Sequence, residues 1–228
     1  MIDVYSWPSS NGRKIHIMLE ETGLPYRAHP INLRRREQFQ PDFLKISPNN
    51  KIPAIVDQDG PGGKPVSIFE SGAILIYLAR KSGKLLPADA AGESKVLQWL
   101  FMQVGSVGPM FGQAGHFRSK PEERGDYAVK RFTKEAERIY SVLDRRLSEA
   151  QYLADAYSIA DIATFPWVQL PEKQGQSLAD YPNVLRWFNA IGARPAVQRG
   201  IKVLRAERER MRAEEQAREA EALAKAAG

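Results

Sequence analysis

The hydrophobic periodicity of this chain changes once, near residue 82, and this change constrains the fold more than any other feature. Before it, apolar runs of strand length alternate with segments whose apolar residues recur every three or four positions. After it, every apolar segment has the helical period. The pattern predicts an α/β unit over residues 1–81, a linker over 82–91 and an all-α unit over 92–200.

The first unit is predicted to run in the order βαβ and then ββα. Ile15, Met18 and Leu19 fall on one helical face, and Gly23 ends that helix. Strands are predicted over residues 2–5, 26–33, 54–57 and 66–69, and a second helix over 70–81.

The second unit contains three clear helix signals. A helix over 93–111 should bend, because two glycines and Pro109 interrupt it. The segment 124–150 is a long amphipathic helix. Ser158 and Asp161 form a capping box of the S-x-x-D kind, which begins another apolar helix.

The chain is basic, with a formal net charge of +6, but its charges are dispersed. The densest cluster is three arginines at 34–36, followed at once by Glu37, without any nucleic-acid-binding motif. We interpret this cluster as a solvated loop and expect neither a nucleic acid nor a membrane partner. The polar tail, 201–228, is predicted to be helical and solvated.

There is no cysteine among the 228 residues. This excludes disulfides, thiolate metal sites and a protein thiol nucleophile. The three histidines, His16, His29 and His116, lack metal-ligand spacing, so no metal is expected. The N-terminus has no signal-peptide pattern, and the longest apolar run is far shorter than the ~20 residues of a membrane span. We therefore expect a soluble, cytoplasmic protein.

The turn after the first strand is the first candidate site. A helix N-terminus presents free N–H groups and lowers the pKa of a thiol brought to it. Ser9 and Asn11 lie there, and their side chains can donate to a thiolate. Both are also good N-cap residues, so a purely structural role remains open.

Two further stretches suit a peptide-like ligand. Ile52 and Pro53 precede a strand; a cis bond there would expose the Ile52 backbone as an edge for pairing, whereas a trans proline would be an ordinary strand start. Glu70 and Ser71 begin a helix, where a carboxylate and free N–H groups fit an α-amino-acid head group. Helix capping alone would also explain this second pair.

Taken together, these stretches resemble the glutathione transferase family. The resemblance rests on PSSNG, SPNNKIPAIVD and FESGAIL in the first unit, and on LQWLF and the capping box in the second. It covers about residues 1–200 and is greatest to the bacterial Nu-class enzymes, which are glutathione-dependent disulfide reductases. It implies a thioredoxin-like α/β N-terminal domain followed by an all-α C-terminal domain.

The resemblance also implies roles for individual residues. Asn11 and Ser9 would act on the glutathione sulfur, although the family pattern has Thr where this chain has Ser9. The implied glutathione-binding residues are the backbone of Ile52 beside Pro53, Glu70 and Ser71 at the γ-glutamyl end, Gln38 and Lys51 at the glycyl carboxylate, and Arg131 near a second glutathione.

Without a cysteine, a disulfide reductase must take both thiols from glutathione, so two glutathione molecules per subunit would be cosubstrates. The alternative is conjugation to a small electrophile, or thioether cleavage. A third hypothesis is a non-catalytic partner-binding protein of the same fold, which predicts damaged glutathione contacts. The resemblance further implies a homodimer. Four aromatic residues could line an acceptor pocket: Trp7, Phe111, Phe117 and Trp167.

Overall fold

The computed structural model describes residues 1–226 and consists of a four-stranded sheet domain followed by a helical domain. The strands are β1 (Ile2–Ser6), β2 (Tyr26–Pro30), β3 (Ala54–Asp57) and β4 (Val66–Phe69). The helices beside the sheet are α1 (Ser10–Thr22), α2 (Pro41–Ile46) and α3 (Ser71–Ser82). The later helices are α4 (Ala90–Met102), α5 (Gly108–Arg118), α6 (Pro121–Arg124), α7 (Asp126–Glu149), α8 (Ile159–Val168), α9 (Pro182–Gly192), α10 (Pro195–Gly200) and α11 (Arg205–Ala226). The predicted fold class is confirmed.

The sheet has the order β2-β1-β3-β4, with β1 parallel to β2 and antiparallel to β3, and β3 antiparallel to β4. The predicted bounds of β3 and β4 are confirmed. The second strand ends at Pro30, three residues earlier than predicted. The reason is Asn32, whose side-chain oxygen accepts the N–H groups of Arg34 at 3.0 Å and Arg35 at 3.3 Å and so turns the chain.

Helix α1 links the two domains, because it packs against α3 on one side and against α8 and α10 on the other. Ser9 is its N-cap: the hydroxyl accepts the Gly12 N–H at 3.2 Å. A side chain at Gly12 would have its Cβ 2.0 Å from the Trp7 carbonyl oxygen, so only glycine fits this close approach. Gly23 ends the helix in the left-handed conformation, as the sequence predicts.

The segment predicted as one bent helix is interrupted by a turn of a different helical type. Between α4 and α5, residues Gln103–Val107 form one turn of π-helix, closed by the Gly108 N–H on the Gln103 carbonyl. Pro109 follows and has no N–H to continue an α-helical ladder. The wider turn brings the Gln103 side chain into the interior, where it is fully buried.

The helical domain forms its core around α7 and α8. Ile139, Leu143 and Leu147 of the amphipathic α7 are buried, as its periodicity predicts. The capping box of Ser158 and Asp161 is confirmed. Asp161 is fully buried and also accepts the Leu153 and Trp187 N–H groups, which ties the start of α8 to its surroundings.

The interpretation of the basic cluster and the C-terminal tail as solvated is wrong in part. The tail is helical, but the first half of α11 lies against the 31–36 loop. Glu215 accepts from Asn32 at 3.2 Å and from Arg34 at 3.0 Å, and Glu214 pairs with Arg35 at 3.3 Å. The two charged segments are complementary and bind each other, although the Arg34 side chain stays largely exposed to solvent. Among residues 1–226, no helix is both long and apolar enough to cross a bilayer.

Candidate functional site

Two adjoining cavities meet at three of the predicted site residues: Asn11, Glu70 and Ser71. The first, of about 250 Å³, lies in the sheet domain and is also lined by Ser47, Lys51, Ile52, Pro53 and Phe69. The second, of about 310 Å³, lies between the domains and is also lined by Lys14, Gln103, Val104, Gly108, Pro109, Gly112, Gln113 and Trp167. We name them the sheet cavity and the interdomain cavity.

Asn11 lies where the two cavities meet, and a hydrogen bond to Trp167 fixes the orientation of its side-chain amide. Its Oδ1 accepts the Trp167 indole N–H at 3.1 Å. Because an indole nitrogen can only donate, the oxygen must face Trp167, and both amide hydrogens remain available to a ligand. Asn11 is therefore a free hydrogen-bond donor, and Ser9, not Asn11, caps α1.

Ser9 lies two residues before Asn11 and lines neither cavity. Its oxygen accepts the Gly12 N–H, and its hydroxyl hydrogen remains available to donate to a ligand. A catalytic role for Ser9 stays a prediction.

Ile52 presents an open stretch of backbone to the sheet cavity. The Ile52–Pro53 peptide bond is cis, which is the first of the two alternatives that the sequence leaves open. The pairing of β3 with β4 begins at Ala54, and among the residues described no backbone hydrogen bond outside the strands involves Ile52. The Lys51 carbonyl just before it accepts the Ser47 hydroxyl at 2.8 Å. An extended peptide can therefore pair with the main chain of Ile52.

Glu70 and Ser71 bring opposite polarity to one edge of the sheet cavity. Glu70 has φ 69° and ψ 116°, a conformation that is costly for a residue with a side chain and is found at functional sites. The first intrahelical bond of α3 runs from the Ile74 N–H to the Glu70 carbonyl, so the preceding amides are free for an anion. The carboxylate and these amides suit the ammonium and carboxylate of an amino-acid head group.

The sequence analysis missed Lys14 and Gln103. Lys14 is 2% exposed, and its ammonium donates to Ser71 Oγ at 3.1 Å and to Gln103 Oε1 at 2.6 Å. Burial lowers the pKa of Lys14 to about 7, although the nearby Glu70 carboxylate opposes this. One signal was present: Lys14 lies three and four residues before the apolar Ile17 and Met18, so it shares their side of the helix.

Two predicted binding residues lie outside both cavities. Gln38 is in a single helical turn, Glu37–Phe39. Arg131 is on α7 and lines a separate cavity of about 780 Å³ with Met110, Tyr127 and Phe132. Their contacts with glutathione stay predictions.

Only one of the four aromatic residues considered for an acceptor pocket, Trp167, lines the interdomain cavity. Phe111 is buried and stacks on Tyr140, and Phe117 stacks on Phe132. Trp7 lines a different cavity, of about 460 Å³, against α11. Over the part of the chain that the structure describes, no three His, Asp or Glu side chains cluster closely enough to hold a metal ion.

This arrangement of a peptide-pairing edge, an amino-acid site and a free amide donor belongs to a known class. Residues 8–81 match the glutathione S-transferase N-terminal domain, and residues 96–195 match the glutathione S-transferase C-terminal domain. The chain belongs to the glutathione S-transferase family.

One curated protein and two solved structures show which members of the family this chain resembles over most of its length. The disulfide-bond oxidoreductase YfcG of Escherichia coli is 48% identical over 203 residues, covering 88% of this chain and 94% of that protein. A Burkholderia graminis glutathione transferase solved with two glutathione molecules per subunit is 48% identical, with a TM-score of 0.83 and coverage of 89% and 88%. A Pseudomonas putida glutathione transferase solved with one glutathione disulfide per subunit is 45% identical, with a TM-score of 0.84 and coverage of 89% and 91%.

Proposed function

We propose that this protein is a glutathione-dependent disulfide-bond oxidoreductase, in which two bound glutathione molecules reduce a disulfide substrate. The observation that carries the proposal is the oriented amide of Asn11 at the point where two cavities meet. The similarity to YfcG and to the relatives that bind two glutathiones or glutathione disulfide supports it.

The first glutathione is assigned to the sheet cavity. Its cysteinyl main chain pairs with Ile52, and its γ-glutamyl end binds Glu70 and the start of α3 at Ser71. Lys51 lines this cavity and supplies a positive charge for the glycyl carboxylate, and Gln38 stays a proposed second contact for that carboxylate. The thiol then lies by Asn11, whose amide hydrogens stabilise the thiolate.

The chemistry needs no protein thiol. The first thiolate attacks one sulfur of the substrate disulfide; a glutathione–substrate mixed disulfide forms, and the other half leaves as a thiolate that takes up a proton. The second glutathione, in the interdomain cavity, attacks the glutathione sulfur of the mixed disulfide. Glutathione disulfide forms and the second substrate thiol leaves, so two glutathiones are oxidised for each disulfide reduced. Arg131, which lines the separate cavity beside α7, stays a proposed contact for a part of the second glutathione that extends beyond the interdomain cavity.

Conjugation of a small electrophile is the second candidate function. It is favoured by the apolar part of the interdomain cavity, where Val104, Pro109 and the Trp167 ring could hold a flat acceptor. A non-catalytic, partner-binding role is disfavoured, because the open Ile52 backbone, the Glu70–Ser71 edge and the Asn11 donor are all present.

The cellular compartment and the oligomeric state of the protein are proposed as well. We assign the protein to the cytoplasm, because the reaction consumes reduced glutathione and cytosol keeps glutathione reduced. We propose a homodimer, as the family resemblance implies, and Phe101 and Tyr127, which are 63% and 77% exposed on α4 and α7, are apolar side chains that it would cover. The domain limits proposed are 1–81, 92–200 and a tail from 201.

The decisive experiment compares two substrates with the same enzyme and glutathione. A small dialkyl disulfide should be turned over faster than a chloronitrobenzene. The opposite order, with adduct formation and no glutathione disulfide, would support conjugation and reject disulfide reduction.

A further inference from the structure

Lys14 is a buried cation in the wall of the interdomain cavity, and the chemistry described so far does not use it. It is 2% exposed, and the two acceptors of its ammonium, Ser71 Oγ and Gln103 Oε1, are both neutral. A buried ammonium whose hydrogen-bond partners are neutral is costly, and the nearby Glu70 carboxylate offsets its lost hydration only in part. The site therefore favours an anion that arrives with the ligand.

The geometry leaves room for that anion. An ammonium has three N–H groups, and Lys14 uses two of them, so one remains. The side chain lines the same cavity as Asn11 and Trp167, with about 310 Å³ available. Because Asn11 and Lys14 line the same cavity, a ligand sulfur in it can approach both the amide and the ammonium.

The charges around Lys14 are few. Among the lining residues that the structure describes, Glu70 is the only other titratable group. On α1 itself, Arg13 donates to Gln169 and His16 is buried and neutral; on α10, Arg199 pairs with Glu20.

The buried carboxylate on α8, which packs against α1, is engaged by groups other than Lys14. On α8, Asp161 is held by Leu153, Ser158 and Trp187. With its pKa lowered to about 7, Lys14 changes protonation near neutral pH, and a thiolate beside it would favour the ammonium.

We propose that Lys14 accepts the thiol proton of the second glutathione, pairs as an ammonium with the thiolate that forms, and returns the proton to the thiolate that leaves. This inference rests on the proposed function. The Lys14 amine takes the S–H proton, and the thiolate attacks the glutathione sulfur of the mixed disulfide. The new S–S bond forms as the old one breaks, and the departing product sulfur takes the electron pair and then the proton from Lys14.

Proton release on binding tests this inference without relying on activity. Thiolate absorbance in the ultraviolet counts the thiolates formed when the unmodified protein is saturated with glutathione at pH 8. Calorimetry in buffers of different ionisation enthalpy counts the protons released. The number of protons released should be about one lower than the number of thiolates formed, because Lys14 keeps the proton of the second thiol. Equal numbers would overturn the proposal.

Variants separate this role from a structural one. Lys14→Met, with Lys14→Gln as a second variant, should leave the first thiolate intact and return the pKa of the second thiol towards its usual value of about 8.5. Turnover near neutral pH should fall roughly a hundredfold, as for loss of a general base. Lys84→Met is the matched control, because Lys84 donates to the Thr22 carbonyl at the far end of α1. It should change neither quantity.

The possible failures are distinguishable. If Lys14→Met and Lys14→Gln lower only the melting temperature and leave the second thiol pKa unchanged, Lys14 is a structural anchor and this inference is rejected. If the unmodified protein reduces no disulfide with glutathione, the proposed function fails, and this inference fails with it.

Discussion

At the scale of single residues, the structure places Ser9 and Asn11 differently in the first turn. Ser9 caps α1, and Asn11, oriented by Trp167, faces the cavities. Asn11→Ala should therefore reduce disulfide turnover ten- to a hundred-fold, because a charge-assisted hydrogen bond to the thiolate contributes about 1.5–3 kcal/mol. Its melting temperature and glutathione affinity should change little.

Ser9→Ala is the matched control for Asn11→Ala. It should cost about 1 kcal/mol of unfolding free energy through loss of the cap. Rates and thermal midpoints are measured for both variants. An Asn11→Ala protein with an unchanged rate would remove Asn11 from the mechanism.

His16 gives the fold a predictable pH dependence. It is fully buried, its Nε2 lies 2.7 Å from Ser6 Oγ, and burial lowers its pKa from 6.5 to about 4. The unfolded chain binds a proton near pH 6.5, but the folded chain does not until about pH 4. This contribution to stability is fully present above pH 6.5 and is lost as the pH falls towards 4, by about 3 kcal/mol in total.

Denaturant unfolding between pH 7 and 4 measures this effect. His16→Gln should reduce the slope of unfolding free energy against pH over that range, because the titrating group is gone. An identical slope in both proteins would assign the acid sensitivity to other groups.

At the scale of elements, α11 is the helix that the sequence predicts as solvated but that contacts the 31–36 loop. Each of its exposed ion pairs contributes less than about 1 kcal/mol, so truncation after Leu204 should cost little global stability. It should free the 31–36 loop, because Asn32 and Arg34 lose Glu215 as a partner. Amide hydrogen exchange in that loop should therefore be faster in the truncated protein than in the full chain. High salt should also accelerate it in the full chain, because salt weakens the ion pairs. Unchanged exchange after truncation would show that α11 does not dock on the loop in solution.

The elements also show which features the sequence could predict. Strands β3 and β4 and the face of α1 followed from periodicity, because period reports which side of an element is buried. Periodicity could not predict two long-range contacts of the site. Lys14 contacts Gln103, 89 residues away, and Asn11 contacts Trp167, 156 residues away. Such contacts depend on how the domains pack, and the π turn that places Gln103 depends on hydrogen-bond geometry that composition does not specify.

At the scale of the whole molecule, the exposed aromatic residues predict association. Phe101 on α4 and Tyr127 on α7 should be covered in a homodimer, and Arg131 lines with Tyr127 the separate cavity of about 780 Å³. Sedimentation velocity at micromolar concentration should show a dimer, and Phe101→Glu should shift it towards monomer by placing a charge in an apolar contact. A stable monomer before substitution would contradict the dimer.

The central claim is that two glutathiones, and no protein thiol, supply both electrons. The most direct test is a stoichiometry measured on one sample: glutathione bound per subunit, and glutathione disulfide formed per dialkyl disulfide consumed. The account predicts two molecules bound and one glutathione disulfide formed for each disulfide reduced. A single bound glutathione, or a glutathione adduct accumulating while the disulfide is untouched, would contradict it.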